Sequence, residues 1–396
     1  MINVLGLMTG TSCDGLDAAC LSIEKNDWSP AWQAQRSYPV SLRKRVLELQ
    51  APDSRVTLLE ILNLNRDLGI WYADAVTSIL KGKKSSNAAT PDLIANHGQT
   101  VGHFPSSSRS NLRSPSRSNL QGVTLQLGDP TLVAMATETT VASTFRNGDL
   151  AAHGQGAPLV PLFHASLVQK LGGASRGVSI HNLGGISNLT YLWRDKILAF
   201  DTGPGNIWID AATSLVTSGK LKMDRGGKLG AKGLVNTAWL NRTLKHPFFK
   251  KRPPKSTGRD EFPISYLREK DTPRGNDLIA SATALTVESI ARDYERWILD
   301  AGLKLSSIYF CGGGAKNSFL LKRLHERLPE IQVKSLDEFG YDPQFIEAQA
   351  FAWCGYLTLI GKPLGGQWTG ARAFGPPGHL IPGKNWNILV GKLRGL

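Results

Sequence analysis

Two glycines, two hydroxyls and two acids lie in GTSCDGLD (Gly10–Asp17), which interrupts two apolar runs near the start of the chain, VLGLMTGTSCDGLDAACLSI. Glycine admits positive φ and lets a ligand come close to the backbone. Inward-pointing amides of such a turn can hold phosphate oxygens. Three more turns of this kind follow, each directly after an apolar run: NLGGISN (Asn182–Asn188), DTGPGN (Asp201–Asn206) and CGGGAKN (Cys311–Asn317). One alone reads as a tight turn. Four, each behind a strand, point to a nucleotide site, although none has the Gly-Lys-Ser/Thr of a P-loop or the G-x-G-x-x-G of a dinucleotide fold.

Two acids accompany these turns. Asp201 closes an apolar run and faces the Gly-Pro-Gly turn. Helix capping is the structural alternative, but Asn206 sits nearer the helix start and suits the N-cap better. Glu347, in PQFIEAQAFAW, has Ala350 and Phe351 at helical spacing. A carboxylate on an apolar face either pairs with a cation or serves chemistry. Asp14 suits a Mg²⁺ contact through water, because magnesium keeps most of its hydration shell. His97, in NHGQT, reads equally as a satisfied polar residue at a strand end and as a substrate contact.

The elements that must position these residues alternate between strand and helix, which predicts an α/β architecture. Leu58–Leu80 has helical apolar periodicity. PDLIANHGQTV reads as a short buried strand ending in a polar turn. Asp129 and Pro130 are a natural N-cap and first helical residue. Strands are expected at Ile197–Phe200 and Ile308–Cys311, with helices from Ile207 and from about Asn317. Thr144–His164 is irregular, as where a chain crosses between domains or lines a cleft. VSIHNLGGISNLTYLW (Val178–Trp193) repeats the strand–turn–strand shape of the opening and suggests an internal duplication.

With 396 residues, two domains are the default. A hydrophobic content of 41% and a charged content of 20% describe an ordinary globular chain. The net charge of +14 raises nucleic acid as a partner. The basic residues are dispersed, however, and no recognised nucleic-acid module is present. Part of the excess lies in SRSNLRSPSRSNL (Ser108–Leu120), which reads as a surface insertion. MINVLGLMTG lacks a basic n-region, and no apolar run spans a bilayer. Cys13, Cys20, Cys311 and Cys354 lack metal-ligand spacing and read as reduced thiols of a cytoplasmic protein, without a nucleic-acid or membrane partner. A homodimer remains open.

The succession GTSCDGLD, NHGQT, LQLGDP, AAHGQGAPLVPLFH, NLGGISN, FDTGPGN followed by Asp210, PPKSTGRDEF and CGGGAKN resembles the anhydro-N-acetylmuramic acid kinases over nearly the whole chain. The resemblance implies the two-lobed α/β fold of sugar kinases, actin and heat-shock chaperone ATPases, with a duplicated core and ATP in an interdomain cleft. Lobes of 1–142 with 368–396, and of 143–367, are expected. It also implies that Gly10, Thr11, Ser12, Cys13, Asp14, Gly15, Leu16 and Asp17 hold the ATP phosphates, with Gly184, Gly185, Gly203 and Gly205 facing them. Gly312, Gly313, Gly314 and Asn317 would lie at the adenosine. Mg²⁺ would sit on the Asp14 side.

Asp201 matches the family's general base and Glu347 an acid that contacts the sugar. His97, Gln99, Arg146 and Asp149 complete the implied substrate set. The implied reaction adds water to the anomeric carbon of a 1,6-anhydro sugar while O6 takes the γ-phosphoryl group. One departure bears on specificity. Where bacterial members have Phe-Arg-Arg-Arg-Asp, this chain has Phe145-Arg146-Asn147-Gly148-Asp149. Arginines there suit a lactyl carboxylate, and levoglucosan kinase, which takes a neutral anhydrosugar, also lacks the full run. Lys255 and Arg259 are candidate replacement cations, and arginine at Gly148 would be expected to restore the preference. A non-catalytic actin-like ATP-binding protein is the reading from another class, disfavoured by the presence of both Asp201 and Glu347.

Overall fold

The computed structural model describes residues 1–10, 13, 15–25, 27–51, 54–105, 122–173, 175–258, 261–372 and 375–395. The chain forms two compact units, Met1–Phe163 with Glu347–Leu396, and His164–Ile346.

In the first unit, β1 (Ile2–Thr9) runs antiparallel to β2 (Gly15–Glu24), which runs antiparallel to β3 (Asp27–Ser37). On its other side β1 is parallel to β4 (Leu93–Asn96). A separate ribbon of β5 (Gln99–Phe104) and β6 (Val123–Leu127) follows, and then β7 (Thr140–Ser143), parallel to β4. The order is thus β3-β2-β1-β4-β7.

The second unit contains β8 (Val178–Leu183), β9 (Ile186–Trp193), β10 (Lys196–Pro204), β11 (Ser307–Cys311) and β12 (Gln332–Ser335). Here β8 is antiparallel to β9 and β9 to β10, while β11 is parallel to both β8 and β12, in the order β10-β9-β8-β11-β12. Each sheet therefore places a strand–turn–strand–strand meander beside two parallel strands, with the same order and sense. This is the duplication that the two similar hairpins suggested. The first unit adds β13 (His379–Ile381), antiparallel on β7.

Local chemistry explains the helices that hold these sheets. The helix Leu58–Lys84 opens with a reciprocal capping box of Thr57 and Glu60 and ends in Lys81, Lys83 and Lys84, which complement its dipole. Leu64, Leu68, Tyr72, Val76 and Ile79 form its buried stripe, and the Tyr72 hydroxyl meets Thr9 Oγ1 at 2.7 Å. The helix Pro130–Thr137 begins as expected, with Asp129 accepting from Thr131 N at 2.9 Å. The polar turn after β4 is short, since a further strand starts at Gln99.

Unit borders fall at 163/164 and 346/347, whereas the sequence suggested 142/143 and 367/368. Packing accounts for both positions. Phe163 stacks on Trp28 at 4.7 Å, which keeps residues up to 163 with the first sheet. The helix Ile346–Leu359 lies directly on β1 and β4. A Cβ on Gly6 would fall 1.9 Å from Ala348 O, and one on Gly355 would fall 2.6 Å from Ala95 Cβ. Among the described residues, no helix is long and apolar enough to cross a membrane.

Candidate functional site

Three of the four glycine turns meet within the second unit. The β8–β9 turn offers the carbonyls of Gly184 and Gly185, which accept from Asn206 N at 2.8 Å and Gly205 N at 2.9 Å. A Cβ on Gly205 would lie 2.4 Å from Gly184 O, so this approach requires glycine. The turn after β11 closes on the same place. Gly312 has φ +78°, and its Cβ would fall 2.3 Å from Asn182 Oδ1; that of Gly314 would fall 2.6 Å from Leu183 Cβ. Gly185 and Gly313 differ from the others, because a Cβ on either meets nothing within 4 Å. They leave the cradle open where the neighbouring glycines close it.

Gly203 has a different role. It pairs with Ser187 just after the register shift that separates it from Asp201, with φ +137°, and a Cβ would strike the Phe249 ring at 2.8 Å. Asn206 does stand at the N-cap position of the helix Ile207–Val216, but its side chain makes no capping bond. Its Nδ2 donates instead to Leu183 O at 2.9 Å, tying the helix start to the β8–β9 turn. Asn317 is the genuine cap of the helix Ser318–Arg327, with Oδ1 accepting from Leu320 N at 3.0 Å.

Asp201 is half-buried in the C-terminal half of β10. Its Oδ2 accepts from Thr257 N at 2.8 Å, and its own N–H donates to Lys255 O at 3.0 Å. Lys255 is not available to a substrate carboxylate. Its ammonium is buried and grips both oxygens of buried Asp293, at 3.0 and 2.7 Å. Burial lowers the Lys255 ammonium and pushes Asp293 up to about 6, each against the attraction of its partner. Arg259, the other candidate cation, lies outside the described residues.

In the first unit, β4 delivers Asn96 and His97 to one end of the sheet. The His97 ring stacks on Phe351 at 4.3 Å, and its Nε2 accepts from Arg146 Nε at 3.2 Å. Burial, reinforced by the Arg146 charge, holds His97 well below the usual imidazole range. The neutral ring therefore carries its proton on Nδ1, 2.9 Å from Gly98 O. Arg146 also donates from Nη1 to Gly156 O at 2.8 Å. Glu347 precedes Phe351 by one turn on the helix Ile346–Leu359 and is half-buried. Asp201 and Glu347 thus belong to different units.

Two implied substrate residues are engaged within the fold. Gln99 is fully buried, and its Nε2 donates to Gly10 O at 3.3 Å, so it braces the first glycine turn. Asp149 accepts from Gly156 N at 2.7 Å and from Thr369 Oγ1 at 2.6 Å. Burial raises its carboxyl above the usual range. Within the first turn, Cys13 N donates to Gly10 O at 3.1 Å, while Cys13 O accepts from Arg43 Nε at 3.0 Å. A Cβ on Gly15 would fall 2.8 Å from Arg36 O. Leu16 is buried opposite Thr9, and Asp17 accepts from Gln35 Nε2 at 3.0 Å. Thr11, Ser12 and Asp14 lie outside the described residues. Among those described, no group of three or more His, Cys, Asp or Glu could hold a metal ion.

Sequence reasoning passed over two residues. Asn96 is buried, and its Nδ2 has no hydrogen-bond partner among the described residues. The buried Oγ1 of Thr257, on the residue whose N–H holds Asp201, also lacks one. Buried polar atoms are nearly always paired, and both atoms have bonding capacity to spare. Asn96 stood in the quoted NHGQT, but no spacing rule distinguishes its amide from that of a turn asparagine.

The chain is similar to known proteins of one family over nearly its whole length. A family model described as anhydro-N-acetylmuramic acid kinase matches residues 2–381. The enzyme of that name from Gloeobacter violaceus is 37% identical over 373 residues, covering 91% of this chain and 93% of its own. That from Acidithiobacillus ferrooxidans is 36% identical over 399 residues, covering 98% and 94%. That from Caldanaerobacter subterraneus subsp. tengcongensis is 34% identical, covering 91% of each. At this identity over nearly its full length, the chain belongs to the anhydro-N-acetylmuramic acid kinase family.

Proposed function

We propose that this protein is an ATP- and Mg²⁺-dependent kinase that opens the 1,6-anhydro ring of anhydro-N-acetylmuramic acid and phosphorylates O6, in the recycling of cell-wall amino sugar. The observation that carries this reading within the family is Asp201. Its carboxylate, carried within β10, is held by a backbone amide, and Asp201 opens one of the three converging glycine turns.

Asp201 takes a proton from water as the water oxygen bonds to the anomeric carbon. The bond from that carbon to O6 breaks, and O6 receives the γ-phosphoryl group as ADP departs. Glu347 would contact the sugar, and the Asn96 amide would donate to one of its oxygens. Gly185 and Gly313 are open to close approach and would bring backbone to the nucleotide. Magnesium would neutralise phosphate charge, with Asp14 as its partner through water. Positioning and charge neutralisation supply most of such catalysis. Cys13, Cys20, Cys311 and Cys354 are buried and form no disulfide, and this suits a reducing, cytoplasmic setting.

A second substrate reading, a neutral anhydrohexose such as levoglucosan, is favoured by one observation. Arg146 already bonds to His97 and Gly156, and Asn147 and Gly148 replace the other two arginines. A panel of anhydrosugars in an ATP-consumption assay separates the readings. ADP formation with anhydro-N-acetylmuramic acid supports the first, and turnover of levoglucosan alone the second. Turnover of neither would remove both.

A further inference from the structure

We infer that the buried Lys255–Asp293 ion pair is a positioning device for Asp201, an inference that rests on Asp201 being the general base. Residues 251–258 form neither helix nor strand, yet this segment brackets Asp201. Lys255 O accepts from Asp201 N at 3.0 Å, and Thr257 N donates to Asp201 Oδ2 at 2.8 Å. The anchor of the segment is the Lys255 side chain. Its Nζ lies 4.8 Å from the Phe248 ring centroid and 5.6 Å from that of Phe200, and bonds both oxygens of Asp293. Trp297 Nε1 fixes Asp293 Oδ1 from the following helical turn at 3.1 Å.

Stability does not account for this arrangement. Taking two ions out of water offsets much of their attraction, and apolar side chains of similar size are often as good or better. A bidentate pair does, however, fix an irregular segment at one point. It also balances charge beside the base. Lys255 alone would favour ionised Asp201 and weaken it as a proton acceptor, whereas Asp293 alone would do the reverse. Among the described residues, the other charged groups here are Arg296, which acts on both members of the pair, and Arg292 and Lys250, which line a small cavity with Asp293.

Turnover of anhydro-N-acetylmuramic acid by wild type, and its loss in Asp201→Asn, tests the functional reading separately. The positioning is tested without turnover by NMR titration of ¹³C-labelled aspartate carboxyls, the Asp201 signal being the one missing from Asp201→Asn. Asp293→Asn is expected to lower the Asp201 midpoint and Lys255→Met to raise it, each by about one unit. The double variant Lys255→Met/Asp293→Leu, which buries no lone charge, is expected to return it close to the wild-type value. In active enzyme the double variant is expected to lose about ten- to a hundredfold in kcat with KM for ATP unchanged.

If a single variant fails to fold, the double variant decides. In protein without turnover, it is expected to show faster amide exchange at Asp201 and Thr257. A wild-type Asp201 midpoint in a folded single variant, or a double variant with wild-type kcat or wild-type amide protection, would overturn the inference.

Discussion

The carbonyl oxygen of Pro376 occupies the space that a side chain at residue 148 would need: a Cβ on Gly148 would lie 1.7 Å from it. Arginine at Gly148 is therefore not a way to restore a carboxylate-binding run, contrary to the expectation from sequence, because segment 375–378 would have to move first. Asn147, the other departure, is exposed and can take the longer side chain. In Asn147→Arg, kcat/KM for anhydro-N-acetylmuramic acid relative to levoglucosan is expected to rise about ten- to a hundredfold. This corresponds to one charge-assisted contact of about 1.5–3 kcal/mol. An unchanged ratio would remove residue 147 from sugar selection.

Asp201→Asn keeps the shape of the side chain and its bond from Thr257 N, but it cannot take the proton. Turnover is expected to fall by roughly 10²–10⁴-fold. ATP affinity is expected to hold, since the glycine turns would make their contacts through backbone. Measured kcat and equilibrium ATP binding check the two halves, and full turnover would exclude the base role.

The turn glycines divide into two kinds that substitution can tell apart. Gly185→Ala and Gly313→Ala place a methyl in open space, so folding stability is expected to stay within about 1 kcal/mol while KM for ATP rises. Gly205→Ala puts the methyl 2.4 Å from Gly184 O and is expected to lower stability as well, by forcing two turns apart. Thermal unfolding beside ATP titration distinguishes them. Unaltered ATP binding in both open-turn variants would argue against a backbone cradle at Gly185 and Gly313.

Acid is expected to destabilise the second unit through its buried imidazoles. Burial pushes His164 and His181 down to about 3 from an ordinary 6.5. Below pH 6.5 the unfolded chain therefore binds protons that the folded chain refuses until near pH 3. Stability is fully present above 6.5 and falls as pH falls, by up to about 1.4 kcal/mol per pH unit for each ring. Urea unfolding at pH 7, 6 and 5 measures the slope. It is expected to flatten in His164→Gln, whose parent ring bonds to Thr190 Oγ1 at 2.9 Å. An identical slope in this variant and in His181→Gln would assign acid sensitivity to other groups.

Sequence alone determined the features that depend on neighbours along the chain. Glycine-rich turns follow strands because only they combine tight reversal with positive φ or close backbone approach. Asp129 caps a helix because its partner is two residues away. The repeated strand–turn–strand pattern anticipated two sheets of one topology. Tertiary structure decided what depends on distant partners. Lys255 looked like a substrate cation until Asp293, 38 residues on, was seen to take its charge. The bond from Arg146 Nε to His97, 49 residues away, has no signature in the sequence. Gly148 looked like a lost arginine until Pro376 appeared in its place. A charge or a missing Cβ has the same signature in sequence whether it meets a ligand or another part of the chain, and only packing brings the distant partner alongside.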